Sequence, residues 1–383
     1  MSDLPQRPPT AGWRDAGIDG TPLNTWPPET QINLGRRRMN AMLLLAALAV
    51  PHSAARAQCA EPRYLVSDFD WLDHARLRLV PARLYWPAAP LAGKPVPLVV
   101  FSHGIGGSRE GYSYLGRHWS ARGVACLHVQ HVGSDAALWR GNPFGVIGRL
   151  QAAAQEQEAI ARAADVRFAL DRMLSVQTGD LGAMVDRQRI VAAGHSYGAN
   201  TTLLTVGAQV VREGRTIDCL DSRFSAALVI SAPPFYGEAD LAAVMSNVAV
   251  PTLHVTATDD VIEIPGYHSG VEDRLAIFNA IAHPHKLLAV FRGGAHSMFT
   301  DRLFPGGWSL NAKVKLATAD LALAFLDLIF ERDGAALLRW EKDWQPILAQ
   351  PPRPEAAPRI MLTGGAIPVP PVRAAAPDEY KAI

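Results

Sequence analysis

Residues Gly194-His195-Ser196-Tyr197-Gly198 follow the pattern G-x-S-x-G, which places a serine on a sharp strand-to-helix turn with small residues two positions to either side. The glycines answer a steric demand, because side chains there would collide with the neighbouring strand and helix. The surroundings agree: the apolar run 189–193 leads in as a strand, and 199–211, with helical spacing, leads out. A serine so placed can attack a carbonyl carbon. Its hydroxyl is a poor nucleophile at neutral pH, so a base must take the proton and a third group must orient the base.

On a strand-to-helix elbow of this kind the expected chain order is serine, then acid, then histidine. The strand pattern 252–256 runs into Thr258-Asp259-Asp260, which offers two carboxylates, and 286–291 runs into Gly293-Gly294-Ala295-His296. Both follow the C-terminal ends of strands, where open α/β sheets bind ligands. His296 is therefore the expected base among twelve histidines. His283 and His285 precede the same strand and fall at its opposite end. His103 and His195 flank the oxyanion and nucleophile segments and are expected to shape the substrate rim. The oxyanion is expected between the backbone N–H of Tyr197 and one from the loop His103-Gly104-Ile105-Gly106-Gly107, with Ile105 as that second donor. That loop lacks the G-K-[ST] ending of a phosphate loop. No two histidines stand at i, i+4 with an acid between them, so no metal site is expected, and acyl transfer through a serine requires no cofactor.

The elements that must hold these residues alternate along the chain. Short runs rich in Val, Leu and Ile at 97–102, 123–130, 189–193, 226–231, 252–256 and 286–291 read as strands covered on both faces, and 77–86 as an outer, antiparallel strand. Helical spacing occupies 112–122, 152–173, 199–211 and 311–330. This alternation predicts an α/β fold with a mostly parallel sheet and helices on both faces. With 383 residues, 49% of them hydrophobic, one large core is expected. The formal net charge is +1, without a long block of one sign, which argues against nucleic acid as a partner.

Outside that region the text changes character. Residues 1–35 are polar and proline-punctuated. Arg36 to Arg38, an apolar run over 41–50 and Ala55-Arg56-Ala57 then read as a signal peptide, so 1–57 is expected to be a leader and the chain to be exported. The apolar run is too short to span a bilayer. Residues 58–349 form the expected catalytic domain and 350–383, rich in proline and alanine, a tail. Export would permit a Cys59–Cys219 bridge, while Cys126 lies in a strand pattern as a buried, inert thiol.

Taken with Leu84-Tyr85-Trp86-Pro87, Ser102-His103-Gly104 and Pro251 to Asp260, the elbow and His296 make the chain resemble the α/β-hydrolase superfamily, in the branch joining platelet-activating-factor acetylhydrolase-like, dienelactone-hydrolase-like and polyester-hydrolase-like serine esterases. The resemblance covers about 76–330. It implies an acid nine residues after Pro251, hence Asp260 rather than Asp259. Ser196, where dienelactone hydrolases have cysteine, implies ester substrates, and Ile105, where polyester hydrolases place an aromatic residue, implies no plastic-degrading activity. Between the strand ending at Ser231 and Pro251 there is too little chain for a helical cap, so an open site is expected, with 131–149, through Trp139 and Phe144, as a substrate rim. The function that follows is hydrolysis of small or short-chain esters. An amidase or peptidase with the same triad is the alternative within enzymes, and a non-catalytic binding protein the alternative outside them.

Overall fold

The computed structural model of the chain describes residues 63–90, 93–175, 178–264 and 267–349. The leader, Cys59 and the tail from 350 lie outside the described residues, and with them the proposed cleavage site and disulfide. Among the described residues no helix is long and apolar enough to cross a membrane.

The strands are β1 (Tyr64–Asp73), β2 (Arg78–Pro87), β3 (Val96–Ser102), β4 (Ala125–Val129), β5 (Val185–His195), the hairpin β6 (Gln209–Arg212) and β7 (Arg215–Asp218), β8 (Ala226–Ile230), β9 (Thr252–Asp259), the hairpin β10 (Ile262–Ile264) and β11 (Tyr267–Ser269), and β12 (Lys286–Ala295). Eight of them form one sheet in the order β1-β2-β4-β3-β5-β8-β9-β12. β2 runs antiparallel to both neighbours, and every pairing from β4 to β12 is parallel. With its elbow after the central strand, this is the α/β-hydrolase architecture.

Period-two alternation sends successive residues of the inner strands into two separate cores. Leu98, Val100, Ile190 and Ala192 face one layer, with α3 (Glu156–Leu174), α5 (Tyr197–Thr205), α6 (Leu241–Met245) and α7 (Val271–Ala280). Val99, Phe101, Val191 and Ala193 face the other, with α1 (Ser113–Ser120), α8 (Trp308–Leu326) and α9 (Ala335–Trp344). The remaining helices are the short α2 (Val146–Ala153) and α4 (Asp180–Met184).

Four departures from the sequence reading bear on the site. The outermost strand is β1, with Leu65 and Val66 about half exposed, and 77–86 is the second strand in. The helix expected over 199–211 stops at Thr205: Gly207, at φ 118, ends it, and the hairpin β6–β7 follows through Glu213 and Gly214, both at positive φ. The helix expected over 152–173 breaks at Gln155, which is extended, into α2 and α3. The irregular stretch 131–149 contains short 3-10 turns at Ala136–Trp139 and Pro143–Gly145 and then enters α2.

The elbow glycines are fixed by contact. A Cβ on Gly194 would strike the Gly198 carbonyl, and one on Gly198 would strike the carbonyls of Ser102 and His103. Gly198→Ala is expected to destabilise the protein by about 3 kcal/mol or more in urea unfolding, since backbone rather than a flexible side chain must move. Gly148→Ala, exposed inside α2 with open space around its Cα, should be neutral or stabilise by up to about 1 kcal/mol. Equal effects of the two changes would refute this account of the elbow.

Candidate active site

Ser196 lies at φ 56 and ψ −125, a conformation that non-glycine residues seldom hold. Its N–H donates to the Ile230 carbonyl at the end of β8 (2.9 Å), and α5 starts at the next residue. The side chain thereby stands above the sheet, with Oγ 2.9 Å from His296 Nε2. His296 opens a 3-10 turn directly after β12, and its Nδ1 lies 2.7 Å from Asp260 Oδ1, just past the end of β9. An ionised carboxylate accepts, so Nδ1 carries the ring proton and Nε2 presents a lone pair to the serine hydroxyl.

Asp260 is fully buried and Asp259 exposed, the carboxylate of the latter accepting from its neighbour Thr258 Oγ1. Burial pushes the Asp260 carboxyl up, but the His296 hydrogen bond and charge and the Arg274 guanidinium outweigh it and hold it well below the usual carboxylate range. Thr256 Oγ1 donates to its second oxygen (2.8 Å), Arg274 Nη2 approaches Oδ1 at 3.4 Å, and Ser231 Oγ stands 2.8 Å from His296 Nδ1. Sequence reasoning missed Ser231, Thr256 and Arg274. Only Ser231 carried a signal, as the polar residue that ends an apolar strand facing the elbow.

In the loop after β3, Gly104 N–H donates to Tyr112 Oη (3.1 Å), Gly106 N–H to Ser134 O (2.8 Å) and Gly107 N–H to Gly104 O (3.0 Å). The Ile105 N–H meets no acceptor among the described residues. It borders the same cleft as Ser196 and Tyr197, whose own N–H is the first of α5. A helix N-terminus adds favourable potential for a developing oxyanion.

His195 and His103 do not form a rim. They are 2% and 1% exposed, because each is used to hold the backbone. His195 Nε2 donates to the His296 carbonyl (3.1 Å) while Nδ1 accepts from Tyr112 Oη (2.8 Å), linking the base to the oxyanion loop. His103 Nδ1 donates to Gly104 O (2.7 Å) and Nε2 accepts from His131 N–H. Burial, reinforced by neighbouring charges, keeps both neutral. Phe144 is 95% exposed and stands apart from the cleft. Trp139 lies outside it too: its Nε1 donates to Gly106 O (2.8 Å) and its ring fills the space beside Gly106, so it braces the oxyanion loop from behind.

The cleft has a volume of about 400 Å³ and begins at Ser196. Its walls are Leu150, Ala154 and Ile160 from the α2–α3 corner, Asn200 and Leu204 from α5, Val210 and Ile217 from β6–β7, Phe235 and Tyr236 after β8, and Ile262 and Tyr267 from β10–β11. The segment between Ser231 and Pro251 holds no helical cap, yet the side expected to be bare is lined by Pro233 to Tyr236 and by residues of the two hairpins. Among the described residues no group of three or more His, Cys, Asp or Glu could hold a metal ion.

A second Ser-His-Asp chain lies below the oxyanion loop: Ser102 Oγ is 2.6 Å from His131 Nε2, and His131 Nδ1 is 3.1 Å from Asp165 Oδ2. These residues are between 0% and 1% exposed and are not among those that line the cleft, so the same constellation serves structure there.

Residues 79–140, from β2 through the oxyanion loop to Trp139, match the family described as platelet-activating factor acetylhydrolase, isoform II. A platelet-activating factor acetylhydrolase from Cavia porcellus is 22% identical over 293 residues, covering 68% of this chain and 61% of its own length. The chain thus spans about three fifths of that relative. The solved structure of a ferulic acid esterase from Streptomyces cinnamoneus matches at 20% identity with a TM-score of 0.49, covering 74% of this chain and 94% of the other.

Two outcomes follow from the geometry. Asp260→Asn should lower kcat about 10⁴-fold by removing the group that sets the His296 tautomer, while Asp259→Asn stays within a few-fold of wild type. Reversed or equal effects would move the acid. Stability should also fall with acid. Burial holds His103, His128, His131, His195 and His254 below the ordinary imidazole range, His128 at about 4 and His254 at about 3. In the unfolded chain they take up protons near pH 6.5, so protons bind the unfolded state first. The stabilisation is complete above that pH, and each group removes about 1.4 kcal/mol per pH unit once the unfolded form is protonated. Urea midpoints should be flat from pH 7.5 to 8.5 and drop steeply from 6.5 to 5. A midpoint unchanged down to pH 5 would contradict this.

Proposed function

We propose that this chain is an exported serine carboxylic ester hydrolase that works through an acyl-enzyme on small or short-chain esters. The observation that carries the reading is the single line of hydrogen bonds from Asp260 through His296 to Ser196 Oγ, ending at the mouth of an apolar cleft beside two uncommitted backbone donors. The printed names of the matching family and of the Cavia porcellus relative are those of an acetylhydrolase, and the leader read at 1–57 supports export.

Ser196 Oγ attacks the ester carbonyl as His296 Nε2 takes its proton. The oxyanion forms between the N–H groups of Ile105 and Tyr197, and ionised Asp260 stabilises the imidazolium. His296 then gives the proton to the departing alkoxide, which leaves the acyl group on Ser196. Water, deprotonated by His296, releases the acid. Amide hydrolysis uses the same groups, but no observation favours it here.

Because the cleft is walled, acyl methylenes that enter it leave water, each contributing up to about 0.8 kcal/mol. The test is kcat/KM over p-nitrophenyl esters from acetate upward. It should rise over the first added carbons and level off once the cleft is filled, and Ser196→Ala should cut kcat by roughly three orders of magnitude or more. Near-native turnover by Ser196→Ala, or a jump in wild-type rate at the onset of micelles, would overturn the reading of the nucleophile or of the cleft respectively.

A further inference from the structure

The floor of the cleft is one face of α5. Ser196, Asn200 and Leu204 recur every fourth residue and all line it, so each stands about one helical turn, about 5.4 Å, beyond the last. Leu204 continues the apolar lining, but Asn200 does not. It is 8% exposed, and its Oδ1 is closed to solvent with no hydrogen-bond partner among the described residues. Tyr197 Oη, on the same floor, is in the same state. The Tyr197 ring lies 4.4 Å from the Arg162 guanidinium, which fixes the phenol in place, and burial pushes it up to about 12, so it keeps its proton. A buried polar group without a partner is costly, and since both residues lie on the cleft lining, a polar group of a substrate that settles against them, with a small shift of the side chains, would supply one.

Two facts narrow what enters. His296 does not line the cleft, and the leaving oxygen must reach His296 Nε2, so the alcohol departs on that side and the acyl group occupies the cleft. A carboxamide and a phenol each donate and accept, as an aliphatic hydroxyl does. Arg212, which also lines the cleft, is taken up by Glu238 and the Tyr236 carbonyl, so nothing there favours a carboxylate over a neutral group.

We propose that Asn200, together with the Tyr197 hydroxyl, binds a hydroxyl on the acyl chain, so that the enzyme takes hydroxylated acyl esters in preference to plain hydrocarbon ones of equal size. This rests on the reading of Ser196 as nucleophile. A site that hydrogen-bonds a substrate hydroxyl discriminates against the analogue lacking it far more than an apolar pocket discriminates by one methylene.

The experiment compares kcat/KM for p-nitrophenyl 6-hydroxyhexanoate and p-nitrophenyl heptanoate, which differ by hydroxyl against methyl, in wild type and in Asn200→Leu and Asn200→Ser. A fluorophosphonate is applied to each protein to count reactive Ser196. Wild type should favour the hydroxy ester by about tenfold or more, Asn200→Leu should reverse the preference, and Asn200→Ser, which keeps a hydroxyl, should fall between. Fluorophosphonate labelling with no wild-type preference, or with a preference that survives Asn200→Leu, overturns this proposal and leaves the esterase reading standing. If Asn200→Leu does not fold, the wild-type ratio alone decides. No labelling and no turnover in wild type would overturn both.

Discussion

Ser196 occupies a backbone conformation that costs about 1–3 kcal/mol for any residue with a side chain, and the site exists because its surroundings hold that conformation. Gly194 stands opposite Ser102 in the β3–β5 register, and Gly198 packs on the Ser102 carbonyl, so β5, α5 and the start of the oxyanion loop meet within one residue's width. Closing that distance brings the first N–H of α5 and the Ile105 N–H to one cleft. The Ser196 N–H then ties the turn to β8, whose next residue, Ser231, touches His296. The strain at one residue is therefore distributed over three strands and a helix.

Rigidity of the oxyanion loop comes from polar groups packed beneath it. Arg162 is wholly buried, yet its guanidinium donates to His103 O, to Ser134 Oγ (2.8 Å) and to Thr201 Oγ1 (3.0 Å), and lies over the Tyr197 ring. One side chain thus holds the loop, α5 and the segment after His131 in fixed relation. Burial pushes Arg162 down to about 10, so it remains charged at neutral pH. Beside it Asp165 takes Arg76 (2.8 Å), Arg78 (2.9 Å) and His131 together. Charges sealed inside a fold cost more than they return unless every hydrogen bond is met. On the proposed reading they fix the position of backbone donors that must be in place before a substrate arrives, as preorganised stabilisation of an oxyanion requires.

The residues that the candidate site brings together were legible in the sequence where they follow strand ends. Ser196, Asp260 and His296 each come at or just after a buried apolar run, and such runs declare themselves through Val, Ile and Leu. The walls of the cleft were not legible. Hairpin β6–β7 carries half-exposed residues and continues the apolar text of α5, and only Gly207 and the Glu213-Gly214 turn marked the change. The break at Gln155, which borders the cleft, falls within helix-forming residues, so local propensity could not reveal it. Trp139 was legible as unusual in its loop, but its direction was not: it turns its indole N–H to Gly106. His103 and His195 were placed correctly along the chain and assigned the wrong exposure, because a histidine beside a reactive residue can line a pocket or brace the backbone under it.

The central claim is that Ser196 carries the acyl group between two half-reactions, and rapid acid quenching during turnover of p-nitrophenyl acetate tests it most directly. Proteolysis and mass spectrometry should find one acetyl group, on the peptide containing Ser196, with a level that falls as the substrate is exhausted. Turnover with no acetylated protein, or acetylation confined to another residue, would contradict the account.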